Sequence, residues 1–180
     1  MRVRTAVSLL AAVIMAAAFA ATPAQAQAAP SGTAVAASFG PYELKNGSSH
    51  HCMDVANGSM NDGGRVQTWD CYGGTPERWT LEETSVISGV HYYEIVNLNS
   101  GKCLDVPNGS MDWGVELQQW TCWSGDMQQW RLYNAGTNAW YIQNMRSGLC
   151  LDAKNFGLPG AALQQWDCNW GSIQAWTHTP

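Results

Sequence analysis

Charge is scarce in this chain: only 13% of its 180 residues are charged, and phenylalanine occurs just three times. Lysine and arginine number 9 against 14 aspartates and glutamates, a formal net charge of -5. That shortage of positive charge excludes a nucleic-acid partner held through its phosphates. Few charges together with 46% hydrophobic residues also exclude a disordered chain. No stretch carries the period of a long amphipathic helix, so a helical bundle is excluded. Gly-x-Ser-x-Gly, His-Glu-x-x-His, Cys-x-x-Cys and glycine-rich phosphate loops are all absent. Against these absences stand ten tryptophans and six cysteines. A core of this size is ordinarily built from Leu, Ile, Val and Phe, so the tryptophans ask for a separate reason.

The N-terminus reads as an export signal. Arg2 and Arg4 precede an uncharged apolar run from Ala6 to Ala21, followed by Pro23 and the small-residue pattern Ala24-Gln25-Ala26. The run is shorter than the roughly 20 residues a spanning helix needs. Residues 1–26 are therefore expected to be a signal peptide and 27–38 a flexible Ala- and Ser-rich leader. No membrane span is expected. Export to the extracellular space places the cysteines where disulfides persist. A metal site built from Cys and His is not expected, because His50-His51 stands beside only one cysteine.

The remainder of the chain is one unit written three times. The first copy runs Cys52-Met53-Asp54-Val55, then Val66-Gln67-Thr68-Trp69-Asp70-Cys71, then Glu77-Arg78-Trp79. The second runs Cys103-Leu104-Asp105-Val106, then Leu117-Gln118-Gln119-Trp120-Thr121-Cys122, then Gln128-Gln129-Trp130. The third runs Cys150-Leu151-Asp152-Ala153, then Leu163-Gln164-Gln165-Trp166-Asp167-Cys168, then Gln174-Ala175-Trp176. The step between the cysteines of a copy is 19, 19 and 18, and from the second cysteine to the last tryptophan it is 8 each time. A threefold pattern leaves one simple pairing: Cys52–Cys71, Cys103–Cys122 and Cys150–Cys168. Each would close a loop of about 20 residues, contributing on the order of 3 kcal/mol in the chain-entropy picture.

Residues 66–70, 79–81 and 91–96 read as short strands. Asn46-Gly47, Asn57-Gly58 and Asn108-Gly109 read as turns, although a following Ser also completes a glycosylation acceptor pattern at each. Frequent turn signals predict an all-β domain.

The order Cys-x-Asp-Val, then Gln-x-Trp before a Cys, then a second Gln-x-Trp, held three times, resembles the ricin B-type lectin family. These domains are also known as family-13 carbohydrate-binding modules. The resemblance covers about residues 39–178. It implies a β-trefoil: a short barrel capped by three hairpins, with repeats at about 39–85, 86–135 and 136–180. It implies core roles for Trp79, Trp130 and Trp176. Glu77 departs from the glutamine of the other two copies, and an ionised carboxylate accepts hydrogen bonds but cannot donate them.

The resemblance also implies sugar sites. A sugar ring has an apolar face of C–H groups, which an indole covers, and an edge of hydroxyls, which a carboxylate and an amide bind. The matching residues are Asp54, Gln67 and Trp69, then Asp105, Gln118 and Trp120, then Asp152, Gln164 and Trp166. The position after the second cysteine, which often contributes, is Tyr72, Trp123 and Asn169. Where the family usually places a sugar-binding Asn, this chain has Pro76, Met127 and Ile173, with Asp126 and Ser172 adjacent as candidate replacements. Trp113, Trp123, Trp140 and Trp170 have no core role by this comparison, and some are expected near the ligand loops.

Glycoside hydrolysis needs an asymmetric pair of carboxylates, whereas the polar residues here repeat symmetrically. His50, His51, His91 and His178 sit outside the repeat and carry no nucleophile motif. The expectation is a secreted, monomeric, non-enzymatic carbohydrate-binding protein with up to three shallow sites and no cofactor. Its ligands would be galactose- or xylose-type sugars or polysaccharide. The alternative is a trefoil that has lost sugar binding and recognises a protein, as an inhibitor or toxin partner.

Overall fold

The structure is a computed structural model that describes residues 37–180. The expected signal peptide and all but the end of the leader lie outside the described residues. Twelve strands run in order: β1 (Ser38–Asn46), β2 (Cys52–Val55), β3 (Gly64–Trp69), β4 (Arg78–Ile87), β5 (Val90–Asn97), β6 (Cys103–Asp105), β7 (Gln118–Trp120), β8 (Trp130–Gly136), β9 (Ala139–Asn144), β10 (Cys150–Ala153), β11 (Leu163–Trp166) and β12 (Ala175–Thr179). Each sequence repeat supplies four.

Pairing sorts these strands into two layers. β1, β4, β5, β8, β9 and β12 pair in a closed ring, each antiparallel to its neighbours, with β12 returning to β1. Closure removes the exposed edges that an open sheet of this length would present. The remaining strands form the hairpins β2–β3, β6–β7 and β10–β11, which cap one end of the barrel. The hairpins also meet one another, through β3 with β7 and through the bridges Gln67–Ala162 and Glu116–Gln164. This is the β-trefoil that the family resemblance implies. The three expected disulfides are present, with Cα separations of 5.2, 5.1 and 5.1 Å. Each ties the first residue of a hairpin to the second residue past its end.

The core is as repetitive as the sequence. Its fifteen buried side chains are five positions taken three times: Leu44, Ile95 and Ile142; Met53, Leu104 and Leu151; Val55, Val106 and Ala153; Val66, Leu117 and Leu163; Trp79, Trp130 and Trp176. Strand alternation explains the sorting. Met53 and Val55 point inward from β2, so Cys52 and Asp54 must point to the other face. The three core tryptophans are fully buried, and truncating one to alanine should cost about 3–5 kcal/mol. Each indole N–H also donates to a backbone carbonyl: Trp79 to Met53 at 2.9 Å, Trp130 to Leu104 at 3.1 Å, and Trp176 to Leu151 at 3.4 Å.

Polar clamps join one repeat to the next. Asn46, Asn97 and Asn144 end the first strand of their repeats and are buried. Each donates its side-chain amide across the repeat boundary: Asn46 to the Ile173 carbonyl at 2.7 Å, Asn97 to Pro76 at 2.8 Å, Asn144 to Met127 at 3.0 Å. Each side-chain oxygen accepts backbone N–H groups of its own turn, at Ser48 and Ser49, Asn99 and Ser100, and Arg146 and Ser147. The clamps form a closed cycle, first repeat to third, second to first, third to second.

Replacing Asn97 with Ala strands the turn's N–H groups and the Pro76 carbonyl in a dry environment. Chemical denaturation should show a loss of about 3 kcal/mol. A loss under about 1 kcal/mol would mean that the clamp contributes little beyond ordinary turn propensity.

Candidate functional site

The outward faces of the three hairpins carry the repeated polar residues. Register places Asp54 opposite Gln67, Asp105 opposite Gln118 and Asp152 opposite Gln164. Residues directly opposed on one face touch, and here each glutamine amide donates to its aspartate, at 3.1, 2.7 and 2.7 Å. Two positions along each strand, Trp69, Trp120 and Trp166 sit opposite the first cysteine of their repeat, on that same face. The aspartates are 3%, 3% and 6% exposed while these tryptophans are 43%, 42% and 39% exposed. A carboxylate at the floor and an indole plate at the rim therefore recur three times.

Each set lines its own cleft. The first, of about 350 Å³, joins Asp54, Gln67, Trp69 and Tyr72 with Asn57 and Arg65. The second, of about 330 Å³, joins Asp105, Gln118, Trp120 and Trp123 with Asn108 and Met127. The third, of about 690 Å³, joins Asp152, Gln164 and Trp166 with Lys154, Asn155 and Phe156, and also with Glu116 and Ile173. Asn169 stays outside that lining: its side-chain oxygen accepts the Gly171 N–H at 2.9 Å, which folds the side chain into its own turn.

The second oxygen of each aspartate shows what the Gln-x-Trp glutamine does. Gln128 donates to Asp105 Oδ2 at 3.0 Å, and Gln174 to Asp152 Oδ2 at 3.1 Å. The same amides donate to the carbonyls of Thr121 and Asp167. Their carbonyl oxygens accept the N–H of Trp123 and of Asn169. Glu77 keeps the accepting half, taking the N–H groups of Tyr72 and Gly73, but has nothing to donate. Tyr72 fills the gap, and its hydroxyl donates to Asp54 Oδ2 at 3.0 Å. Each carboxylate thus uses two of its roughly four lone-pair positions in these side-chain bonds.

Burial pushes Asp54, Asp105 and Asp152 above the ordinary value of 3.8, and the amide or phenol donors pull each partly back. Glu77 is pushed up by burial and by the negative charges of Glu43 and Asp54, against the pull of its two backbone donors. The Tyr72 phenol is pushed up to about 12 by burial and by Asp54 and Glu77.

Several lining residues escape a reading of the sequence alone. Asn57, Asn108 and Asn155 come three positions after each aspartate and adopt left-handed backbone, with φ of 56, 55 and 50°. Two of them read only as turn residues; their repetition at a constant offset from the aspartate is the available signal. The positions expected to hold a sugar-binding Asn act through their backbone instead, because the carbonyls of Pro76, Met127 and Ile173 accept the bonds of the three asparagine clamps. Asp126 pairs with Arg146 at 3.2 Å. Trp123 lines the second cleft and Trp113 packs on Trp166, whereas Trp170 packs edge-on against Tyr133 and Tyr141.

A fourth cavity, of about 420 Å³, lies where Tyr42, Leu81, Tyr93, Leu132, Trp140 and His178 meet, with one residue from each of the six barrel strands. His178 stacks on Trp140 at 3.8 Å, and burial lowers its pKa. Its lining contains no carboxylate. Among the described residues, the one grouping with metal-ligand geometry is Glu94, Cys103 and Cys122. Its two sulfurs are joined in a disulfide and so are not thiolate ligands.

Comparison with known proteins agrees with this fold. The model of the ricin-type β-trefoil lectin domain-like family matches residues 32–91 and 86–166. The chain belongs to that family. Among solved structures, a designed threefold-symmetric protein, ThreeFoil, is 34% identical over 77% of this chain and 97% of its own, with a TM-score of 0.71. An exo-β-1,3-galactanase from Clostridium thermocellum is 30% identical over 77% of this chain, with a TM-score of 0.70, but the match spans only 29% of that enzyme. A ricin B-like lectin from Macrolepiota procera, in complex with lactose, shares the fold at 22% identity and a TM-score of 0.62, over 76% of this chain and 92% of its own.

Replacing Glu77 with Gln should give the first repeat the donor that the others have. It also removes a buried charge beside Asp54. Thermal and chemical denaturation at neutral pH should show a gain of about 1 kcal/mol. A loss instead would show that the two backbone N–H groups need a charged acceptor.

Proposed function

We propose that the chain is a secreted carbohydrate-binding protein with three shallow sites, one per repeat, and no catalysis of its own. One observation carries the reading: a half-exposed indole, a glutamine amide and a desolvated carboxylate meet in one cleft, three times over. The indole suits the C–H face of a pyranose, and the carboxylate and amide suit two of its hydroxyls. Galactose- or xylose-type sugars, free or in a polysaccharide, are the ligand class. The lactose named for one structural neighbour and the galactan for another support the galactose side of this choice. Against hydrolysis, which needs two carboxylates, the first and second clefts each place a single carboxylate in their lining, and in the third the carboxylate beside Asp152, Glu116, is paired with Lys154 at 2.7 Å.

A shallow site of this kind binds one sugar at about millimolar Kd, near -4 kcal/mol. Three sites on a rigid body raise avidity for a polysaccharide by about 10²–10⁴ where spacing allows. The apolar Met127 and Ile173 in two clefts favour a second reading, a protein ligand. Excess free sugar separates the two, since it displaces a polysaccharide but not a protein.

The combined Asp54, Asp105 and Asp152 to Ala variant should lose binding on a glycan and insoluble-polysaccharide panel while keeping its near-ultraviolet circular dichroism. Undiminished binding by that folded variant would refute the site assignment.

Acid should separate binding from folding. A raised native pKa means that the folded state holds the proton more tightly than the unfolded state. The stability these three carboxylates contribute is fully present below 3.8 and is lost as pH rises through the higher native value. Protonation therefore does not unfold the domain through these groups, but it does neutralise the acceptor that a sugar hydroxyl needs. On acidification, affinity should begin to fall while the pH is still above 3.8, with the fold intact. Affinity unchanged down to that pH would show that the ionised carboxylates are not the sugar contacts.

A further inference from the structure

The repeats act as controls for one another, so a residue that breaks the symmetry at a cleft carries information. After each aspartate the backbone takes a run of successive left-handed residues. In the first two repeats these are Asn57 and Gly58, then Asn108 and Gly109, with the glycines at φ of 58 and 59°. In the third the run is three residues long, Asn155, Phe156 and Gly157, with Phe156 at φ of 58° and Gly157 at 70°. A bulky L-residue rarely adopts this conformation, for which glycine is the natural choice. Phe156 gains no burial in exchange, being 80% exposed. The fold therefore gains nothing from the ring, which lines the third cleft beside Asp152, Gln164 and Trp166.

A second departure meets the same cleft from the neighbouring repeat. Gly63, Gly114 and Gly160 are equivalent, with φ of 78, 78 and 79°. The residues before them are Asp62, Trp113 and Pro159. Asp62 is occupied by the Thr121 N–H and by Lys102. Trp113 instead reaches across to Trp166, with ring centroids 5.9 Å apart and planes at 48°, and remains 61% exposed. Among the described residues, neither Trp69 nor Trp120 has such an aromatic neighbour. The rim of the third cleft also carries the Lys154–Glu116 ion pair at 2.7 Å, which offers both donors and acceptors at the surface. At about 690 Å³, this cleft has roughly twice the volume of either of the others.

We propose that the third cleft is an extended site for an oligosaccharide of two or more linked rings, and that Trp113 and Phe156 set this preference for length. One ring sits on Trp166 over Asp152 and Gln164, as in the other clefts. Trp113 and Phe156 add apolar surface beyond that ring, which a monosaccharide leaves uncovered and a chain covers. The first two clefts, without the additional left-handed aromatic residue and without a second indole on the platform tryptophan, are single-ring sites. This inference rests on the carbohydrate reading of the clefts and is narrower than it.

The test uses the protein with Asp54 and Asp105 replaced by Ala, so that only the third cleft reports. Calorimetric titrations would use the mono-, di- and trisaccharides of the β-1,3-galactan and β-1,4-xylan series. In one series the trisaccharide should bind at least about tenfold more tightly than the monosaccharide, equivalent to about 1.4 kcal/mol. Adding Trp113→Ala or Phe156→Gly should collapse that ratio toward one. Phe156→Gly should at the same time raise Tm by about 2–4 °C, through relief of the left-handed phenylalanine. A ratio near one before the aromatic residues are removed, or a ratio that survives their removal, would overturn the proposal while leaving a carbohydrate site in place. If no probe binds even the parent protein with all three clefts intact, the carbohydrate reading fails and takes this inference with it.

Discussion

The core and the clefts are coupled by three hydrogen bonds: the indole N–H of Trp79, Trp130 and Trp176, each donated to the carbonyl just before a cleft aspartate. A buried indole needs a partner, and here the partner is the backbone of β2, β6 or β10. The bond fixes the hairpin strand over the core and thereby fixes the aspartate on its opposite face. Two residues before the second and third of these tryptophans, Gln128 and Gln174 grip that aspartate directly. One short segment thus fills the core with one side chain and orients the site with another. In the second and third repeats the core and the candidate site share a single structural element.

That sharing explains where the repeats agree and where they diverge. The fifteen core residues stay similar in size and polarity from repeat to repeat, since all of them are buried in one common cluster. The clamps at Asn46, Asn97 and Asn144 are equally strict because they close the cycle of repeats. Divergence collects in the loops over the clefts, where a changed side chain meets solvent rather than the core. Tyr72 in the first repeat compensates for Glu77, while in the third Phe156 lines the cleft and Trp113 packs on Trp166.

Much of this is legible in the residues alone. Alternation in Cys-Met-Asp-Val and Val-Gln-Thr-Trp is enough to separate a core face from a site face, and equal cysteine steps are enough to pair the disulfides. The pairing of Asp with Gln and Trp in each cleft comes from hairpin register, which the repeat spacing makes regular. Two kinds of feature stay hidden. The Asn clamps act between repeats, and spacing within one copy cannot show which carbonyl of another lies within reach. The roles of Asn155 and Phe156 depend on backbone handedness, which becomes visible only when the turn is built. Asn169 shows the converse: a side chain in the right sequence position but turned into its own loop.

Three tryptophans are buried in the core and three stand exposed at the clefts, where we propose that they meet the ligand, and one spectrum tests that division directly. A ¹⁵N–¹H correlation spectrum resolves the indole N–H of each of the ten tryptophans, before and after addition of a galacto- or xylo-oligosaccharide. Large shifts are expected at Trp69, Trp120 and Trp166, with unmoved signals at Trp79, Trp130 and Trp176. Ligand-induced shifts at the buried three with none at the exposed three would contradict the division.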